Sequence, residues 1–310
     1  MAVIVFGSLN MDLVARTPRL PQAGETILGS QFFTTPGGKG ANQAVALAKL
    51  GVPTQMVGRV GGDSFGQELL TALQTVGVDT RAIAVDANTH SGVAIITVAN
   101  SGENQIIGVF GANGQVNRTD VERLFPLLPE ADALLLQLEV PLEAVQAAAM
   151  AAKTAGVRVI VDPAPVPTQS LKALYPLIDI LLPNEVEAGQ LVGFPVYDPT
   201  TAEQAAIALQ RQGVGTVIIK LGAQGAFCLS GAESFFTPSF RVKAIDTVAA
   251  GDAFAGGLTA ALVAGQSLQE AVIWGNAAGA LATTKVGAQA AMGDWASFEA
   301  FLQEQGYGIN

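Results

Sequence analysis

The chain has 310 residues, of which half are hydrophobic and 14% are charged, so it can bury a sizeable core and is not a disordered chain. A net charge of −10 without any basic run argues against nucleic acid as a partner, and a single cysteine excludes an intrachain disulfide and a cysteine-rich zinc site. Since the sequence has neither a basic, apolar leader nor an apolar run long enough to cross a membrane, we expect a cytoplasmic protein that does not contact membranes.

The first part of the chain alternates between strand-like and helix-like segments. Residues 3–7 form an apolar run that ends in glycine, which indicates a buried strand. A glycine-rich loop then opens a helix that stops at Gly51, a residue type that is favoured just after a helix. Residues 54–61 and 64–77 predict a further strand and a further helix.

From residue 117 onward the alternation becomes regular. We predict strands within residues 133–139, 157–163, 178–184 and 215–222, with a short helix before the third of them. Helices are predicted at about 117–128, 141–156, 200–212, 251–265 and 267–284. Such repetition indicates an α/β fold with a mostly parallel sheet, helices on both of its faces and right-handed crossovers.

Two extended segments, residues 12–36 and 91–111, do not fit this alternation. The second has two β-rich runs around the turn sequence NSGE, which is typical of a hairpin. We interpret the two segments as one small β-sheet that forms a lid over the carboxyl edge of the parallel sheet, where ligands bind in such folds. The remainder, residues 1–11, 37–90 and 112–310, then forms the α/β domain that binds nucleotide and substrate.

Polar side chains follow the predicted strands at this edge. Asn10 and Asp12 follow the first strand, and Glu139 ends the strand within residues 133–139. Amides and carboxylates suit sugar hydroxyl groups, which both donate and accept hydrogen bonds. The alternative is that these residues only form turns, caps or solvated strand ends.

The motif PGGKGANQA, at residues 36–44, lies at the start of a predicted helix. Its glycines, Gly38 among them, allow the backbone to approach a ligand closely, and Lys39 and Asn42 add polar side chains where helix amides point outward. It is not a P-loop, because glycine rather than serine or threonine follows the lysine. A glycine-rich turn without a ligand is the alternative.

The motif DTVAAGD, at residues 246–252, lies at the start of another predicted helix. The backbone amides of Ala249, Ala250 and Gly251 would form an anion hole there, and Asp252 could accept a proton from an attacking hydroxyl group. Helix capping alone would also explain an acid at this position. Because the position resembles an exposed helix start, we expect Asp252→Ala to cost about 0.5–2 kcal/mol of stability.

Two further motifs have both a functional and a structural interpretation. Asn184 and Glu187 are three residues apart at a helix start, where Glu187 could reach Mg²⁺ through water or could simply cap the helix. Gly222 and Gly225 lie in a loop between two strands, which leaves room for a flat ring or for phosphates or forms an ordinary hairpin turn.

Together these motifs resemble those of the ribokinase, or PfkB, family of carbohydrate kinases. The resemblance covers nearly the whole chain and runs, in order, through GSLNMD, PGGKGANQA, QLE, DPAP, PNEVEA, LGAQG, DTVAAGD and KVGAQ. It implies the three-layer α/β/α fold of that family with a small β-sheet lid. It also implies an ATP-dependent kinase for a sugar, above all ribose.

The resemblance implies a role for each matching residue. Asp252 corresponds to the catalytic base that deprotonates the primary hydroxyl group of the sugar, and the amides of Ala249, Ala250, Gly251 and Asp252 correspond to the anion hole for the transferred phosphoryl group. Contacts with the sugar are implied for Asn10, Asp12, Gly38, Lys39, Asn42 and Glu139. The ATP site is implied for Asn184, Lys220, Gly222, Ala223, Gly225, Gly251 and Asn276.

Metal sites are implied in the same way. Glu187 completes an NxxE pattern that is linked to Mg²⁺. A monovalent cation, K⁺, is implied at the side chain of Asp246 and at carbonyl groups of Val248, Ala282, Lys285, Gly287 and Ala291. Ala291 stands where the family often has serine and offers only its carbonyl group. Lys220 replaces a more usual small polar residue, and we expect it near phosphate.

Other interpretations remain open. The nearest is a sibling kinase for fructose, a nucleoside or a keto-deoxy sugar acid; an acid would need an arginine near the lid, and Arg16 and Arg59 are the candidates. A non-catalytic protein that binds sugar or nucleotide on the same fold is the alternative from another class. The resemblance also implies a homodimer formed through the lid, whose strand edges would otherwise be exposed.

Overall fold

The computed structural model describes residues 2–308. The strands in these residues are β1 (Val3–Phe6), β2 (Asn10–Thr17), β3 (Gln31–Gly37), β4 (Thr54–Gly61), β5 (Ile83–Asp86), β6 (Gly92–Ala99), β7 (Asn104–Val109), β8 (Ala133–Leu136), β9 (Arg158–Val161), β10 (Ile180–Leu181), β11 (Thr216–Lys220), β12 (Gly225–Ser230) and β13 (Glu233–Pro238). The α-helices are α1 (Lys39–Lys49), α2 (Ser64–Thr75), α3 (Arg118–Glu122), α4 (Leu142–Thr154), α5 (Glu185–Val192), α6 (Pro199–Gln210), α7 (Ala250–Val263), α8 (Leu268–Ala282) and α9 (Trp295–Glu304).

The large sheet has the strand order β13-β12-β11-β10-β9-β8-β1-β4-β5, and the strands from β5 to β11 in this order pair in parallel, whereas β12 runs antiparallel to both of its neighbours. Its inner strands β1, β8, β10 and β11 are buried on both faces, whereas the edge strands β5 and β13 are partly exposed. In β1, Val3 and Val5 join the core beneath α1, α7 and α8, while Ile4 and Phe6 join the core beneath α4 and α6. This alternation with a period of two produces the three layers.

The predicted helix over residues 117–128 is shorter in the structure, where α3 ends at Glu122. Pro126 explains the difference, because proline lacks an amide hydrogen and disfavours the helical conformation of the residue before it. The short helix predicted before β10 is a single 3-10 turn at Tyr175–Leu177. The sequence analysis did not identify β5, β13 or α9.

The small sheet has the strand order β3-β2-β6-β7. It combines the two segments that do not fit the βα alternation, since β2 pairs with β3 of its own segment and, in parallel, with β6 of the other. The sequence predicts that residues 1–11 belong to the large domain. In the structure β2 begins at Asn10, so Asn10 and Met11 belong to the small sheet. Only Gly7, Ser8 and Leu9 separate β1 from this sheet, which places the small sheet at the carboxyl edge of the large one.

No helix within residues 2–308 is both long and apolar enough to span a membrane.

The carboxyl ends of β1, β8, β9 and β11 lie at one edge of the large sheet because these strands are parallel. α1 and α7 begin near this edge, as contacts of their first residues with the strand ends show. The edge therefore brings together segments that lie far apart in the sequence.

Candidate active site

Asp252 lies in the first turn of α7 and is only 5% exposed. Its Oδ2 accepts a hydrogen bond from Nδ2 of Asn42 at 2.9 Å, and its Oδ1 accepts one from Nε2 of Gln43 at 3.1 Å. The premise that Asp252 lies at an exposed helix start is therefore wrong. Removal of the carboxylate leaves two buried amide donors without their partner, each at a cost of about 1–3 kcal/mol, while it relieves the burial of a charge.

The start of α7 has an unusual backbone. Ala249 has φ of 58° and is the one non-glycine residue with positive φ among residues 2–308. The amide of Ala250 donates to the carbonyl of Thr247 at 3.3 Å, whereas the amides of Gly251 and Asp252 have no acceptor among the described residues. The amide of Ala249 has no acceptor among the described residues either, so three amides of the predicted anion hole, those of Ala249, Gly251 and Asp252, are left for an anion.

Close packing explains the small residues that follow Asp252. A Cβ atom on Gly256 would overlap the side chain of Ala46 on α1, and one on Gly257 would lie 2.7 Å from the carbonyl oxygen of Trp274 on α8. α7 consequently packs against both helices with its backbone close to theirs. This arrangement holds Asp252 against the start of α1.

Asp12 and Asn10 lie at the start of β2, beside the glycine-rich segment that leads into α1. A Cβ atom on Gly37 would overlap the carboxylate of Asp12, and one on Gly38 would lie 2.6 Å from the amide nitrogen of Asn10. The Oδ1 atom of Asn10 accepts a hydrogen bond from Nδ2 of Asn113 at 2.7 Å. Glycine is therefore required here by close approach and, at Gly38, by a φ of 88°.

Glu139 lies beside the other end of this segment. Its Oε2 accepts a hydrogen bond from the amide of Lys39 at 3.0 Å and another from the hydroxyl group of Ser8. Ser8 in turn accepts from the amide of Gly40 at 3.3 Å. The structure thus brings Glu139 and the start of α1 together, as the sequence analysis expected of a shared site.

Burial and clustering of the acids shift their ionisation. Burial above all, together with the nearby carboxylates of Glu139 and Asp252, raises the pKa of Asp12 to about 7. Burial also raises the pKa of Asp252, against the opposing effect of Lys39, and Asp162 adds to the rise. Burial alone would lower the pKa of Lys39, but Asp252 and the other nearby carboxylates raise it, so its ammonium group stays charged.

The residues predicted to line an ATP site fall into two groups. Gly222 and Ala223 lie in an exposed 3-10 turn between β11 and β12, with Gly222 at φ of 54°. Asn276 on α8 is buried and donates from Nδ2 to the carbonyl oxygens of Thr237 at 3.2 Å and Pro238 at 3.4 Å. A Cβ atom on Gly225 would overlap the same carbonyl of Thr237, which places Gly225 and Asn276 together at the end of β13.

Lys220 ends β11 and is 9% exposed. Its Nζ atom donates to Oδ1 of Asp162 at 2.9 Å and lies 3.5 Å from the position that a Cβ atom on Gly251 would take. Lys220 thus lies close to Gly251, whose amide is free. Asp162 follows β9 and is 1% exposed, so the pair is a buried salt bridge.

Asn184 and Glu187 form a capping box at the start of α5. The side chain of Asn184 accepts from the amide of Glu187, and the two oxygen atoms of Glu187 accept from the backbone and side-chain nitrogen atoms of Asn184 at 2.8 and 2.9 Å. Burial raises the pKa of Glu187, whereas Lys220 lowers it. Such a hard carboxylate suits Mg²⁺ that keeps its waters, and within residues 2–308 no three His, Cys, Asp or Glu side chains cluster as a direct metal site.

Asp246 joins two loops behind the start of α7. Its Oδ1 accepts from the amide of Val248 at 3.1 Å and its Oδ2 from the amide of Gly287 at 2.9 Å. The amides of Ile245 and Asp246 donate to the carbonyl of Thr283, just after α8. The predicted carbonyl ligands lie at the end of α8 and after it: Ala282, Lys285, Gly287 and the buried Ala291. Asp246 therefore joins the loop after α8 to the loop that leads into α7.

Four polar residues of this site are not predicted from the sequence. Ser8 and Asn113 hold Glu139 and Asn10, and Gln43 and Asp162 connect Asp252 to Lys220. Asp162 carries a signal that was available, because it follows a predicted strand of the same edge just as Glu139 does. Gln43, next to Asn42 in a helix, carries no local signal of its own.

The chain is similar to known carbohydrate kinases over nearly its whole length. The sequence model described as "pfkB family carbohydrate kinase" matches residues 2–295. The ribokinase of Haemophilus influenzae is 42% identical over 288 residues, covering 93% of this chain and 94% of that protein. The deoxyribokinase of Salmonella typhi is 36% identical over 256 residues, covering 83% and 84%. The structure of Arabidopsis thaliana ribokinase complexed with ribose and ATP superimposes with a TM-score of 0.90 at 34% identity, covering 97% and 98%.

Proposed function

The chain belongs to the pfkB family of carbohydrate kinases, and we propose that it is an ATP-dependent ribokinase that phosphorylates the primary hydroxyl group of D-ribose. The observation that carries this proposal is the buried carboxylate of Asp252 beside the free amides of α7. The ribokinases of similar sequence and structure support it.

In the proposed reaction, the carboxylate of Asp252 accepts the proton of the sugar hydroxyl group as its oxygen attacks the γ-phosphorus of ATP, and ADP leaves. The raised pKa of Asp252 makes it a stronger base than a solvated aspartate. The amides of Gly251 and Asp252 stabilise the charge on the transferred phosphoryl group. Phosphoryl transfer depends mainly on such positioning and electrostatic stabilisation.

We assign sugar binding to Asn10, Asp12, Gly38, Lys39 and Glu139, around the start of α1. The side-chain nitrogen of Asn42 donates to Asp252, so we assign Asn42 a role in holding the base in addition to its predicted contact with the sugar. A sugar acid is a poor fit. The guanidinium group of Arg59 is bound to Asp86 at 3.1 Å and Asp120 at 2.6 Å, and Arg16 is exposed near the far end of β2.

We place the nucleotide along Gly222, Ala223, Gly225 and Asn276, with the phosphates directed toward Gly251. Mg²⁺, when bound, would neutralise part of the charge on the phosphates. Glu187 would hold its water ligands, because its carboxylate lies at this edge of the sheet near Lys220. Asn184 fixes that carboxylate through the capping box.

We further propose a K⁺ site at Asp246 and the carbonyl groups of the two adjoining loops. The Asp246 carboxylate fixes the loop that leads into Ala249, so a cation bound there would hold the backbone conformation of the anion hole.

We also propose a homodimer through the small sheet. Phe32, Ile106 and Ile107 of its outer strands are 60–67% exposed, and such apolar strands normally find a partner.

The test is turnover of ATP with ribose, 2-deoxyribose, fructose, a keto-deoxy sugar acid and adenosine. We expect ribose to have the highest kcat/KM. In Asp252→Asn we expect kcat to fall by about 100- to 10,000-fold, the usual contribution of a general base, with ribose affinity nearly unchanged. A different best substrate would refute the substrate, and an active Asp252→Asn enzyme would refute the base.

A further inference from the structure

The side-chain amide of Gln43 is completely buried between two carboxylates. Its nitrogen donates to Oδ1 of Asp252 at 3.1 Å and to Oδ2 of Asp162 at 2.8 Å. Its oxygen accepts from Nε2 of Gln137 at 2.6 Å. Both amide hydrogens are therefore used, and a half-turn of the amide would set its oxygen against two carboxylates, so Gln43 has a single orientation.

Gln43 and Asn42 together fix both oxygen atoms of Asp252 from consecutive positions at the start of α1. A base held in this way keeps its carboxylate plane constant while the sugar enters. Such constraint matters because a displacement of about 1 Å at the reacting atoms can cost about 100-fold in rate.

The second carboxylate bound to Gln43 needs a counter-charge. Asp162 is 1% exposed, and Nζ of Lys220 provides that charge at 2.9 Å. Without Lys220, two buried carboxylates would share one neutral amide, and the negative charge of Asp162 would favour the protonated form of Asp252. A chain of contacts therefore runs from Lys220 through Asp162 and Gln43 to Asp252. It connects a buried cation to the base.

We propose that Gln43 is a positioning residue for Asp252, that Asp162 holds Gln43 in its orientation, and that Lys220 balances the charge of Asp162 so that the base stays ionised. This inference rests on the proposed role of Asp252 as the base. It assigns Lys220 a structural and electrostatic partner in addition to its position near phosphate.

Three charged groups from different elements interact with Asp252: Lys39 on α1, Asp12 on β2 and Asp162 after β9. Glu139 after β8, Glu187 on α5 and Lys220 on β11 interact with these three groups in turn. Loss of Lys220 leaves Asp162 uncompensated, so the pKa of the base should rise. Loss of the Asp162 charge should lower it. Loss of Gln43 removes a hydrogen bond to the charged form and should raise it.

The experiment measures the single-turnover rate of sugar phosphorylation from pH 5 to 9 in Lys220→Met, Asp162→Asn and Gln43→Met. We expect the acid limb to move to higher pH in Lys220→Met and to lower pH in Asp162→Asn. In Gln43→Met we expect a shift to higher pH and a rate about 10- to 100-fold lower at pH 8, with KM for the sugar changed less than about threefold.

Thr259→Val is the matched control, since Thr259 is a buried α7 residue whose hydroxyl has no hydrogen-bond partner among the described residues. It should keep the wild-type profile. The inference is overturned if Lys220→Met and Asp162→Asn leave the acid limb unmoved or move it in the same direction, or if folded Gln43→Met keeps the wild-type rate.

The acid limbs of Lys220→Met and Asp162→Asn should shift in opposite directions. These shifts test the proposal even if Gln43→Met does not fold, because they depend on the same electrostatic link to Asp252. Activity of Asp252→Asn separates the two levels. If Asp252→Asn stays active, the proposed base is wrong; if it is inactive while the other variants keep the wild-type acid limb, the base stands and the positioning chain is refuted.

Discussion

Ionisation of Asp12 should destabilise the ligand-free protein. Burial and the neighbouring carboxylates raise the pKa of Asp12 from 3.8 to about 7. The folded state therefore binds this proton more tightly than the unfolded state does, and the free energy of unfolding falls as the pH rises from about 4 to about 7. At about 1.4 kcal/mol for each factor of ten in proton affinity, Asp12 costs about 3 kcal/mol more at pH 8 than at pH 5.

Asp12→Asn removes this cost and keeps the size of the side chain. We expect its Tm to exceed that of the wild type by roughly 6 °C more at pH 8 than at pH 5, measured by thermal unfolding without ligand. Sugar binding should also release protons near pH 7 in the wild type, since hydroxyl donors favour the ionised acid, and calorimetry in buffers of different ionisation enthalpy measures that release.

Asp63→Asn is the control. Hydrogen bonds from Ser91 and Gly66 hold the pKa of Asp63 below its ordinary value although burial alone would raise it. Its contribution to stability is fully present above about pH 4, so the Tm difference caused by Asp63→Asn should be the same at pH 5 and pH 8. A constant Tm difference for Asp12→Asn as well would refute the buried, proton-binding state of Asp12.

Three further predictions concern ions and assembly. If Asp246 binds K⁺, activity should rise with K⁺ and much less with Na⁺, and a flat response of the wild type would remove that site. If Glu187 holds the water ligands of Mg²⁺, Glu187→Gln should raise the Mg²⁺ concentration for half-maximal activity severalfold, with ribose KM unchanged. If the small sheet forms the dimer, Ile107→Lys should convert the dimer to a monomer in light scattering, whereas a monomeric wild type would refute the interface.

The sequence predicted those parts of the molecule that depend on local pattern. The three-layer fold with a small second sheet is confirmed, because alternating apolar strands and amphipathic helices specify it residue by residue. The shortening of α3 was also within reach, since Pro126 is visible in the sequence.

The contacts of Asp252 were out of reach for a different reason. Its environment comes from α1 and from the end of β9, which are distant in the sequence and meet it only through tertiary packing. Sequence pattern showed an acid in the first turn of a helix and therefore suggested exposure, whereas α7 is buried between α1 and α8. Burial of a helix start depends on its neighbours, so the pKa of Asp252 could not be inferred from its position in the helix.

The same packing explains how a chain of net charge −10 can bind a nucleotide. Five carboxyl groups lie around the site with only two lysines: Asp12, Glu139, Asp162, Glu187 and Asp252 with Lys39 and Lys220. Burial and the neighbouring carboxylates raise the pKa of Asp12 to about 7, so near neutral pH the ligand-free site carries less negative charge than its five acids suggest. Sugar hydroxyl groups that donate to Asp12 would favour its ionised form. Sugar binding should then ionise Asp12 beside the base, with backbone amides and the metal supplying the positive field that side chains do not.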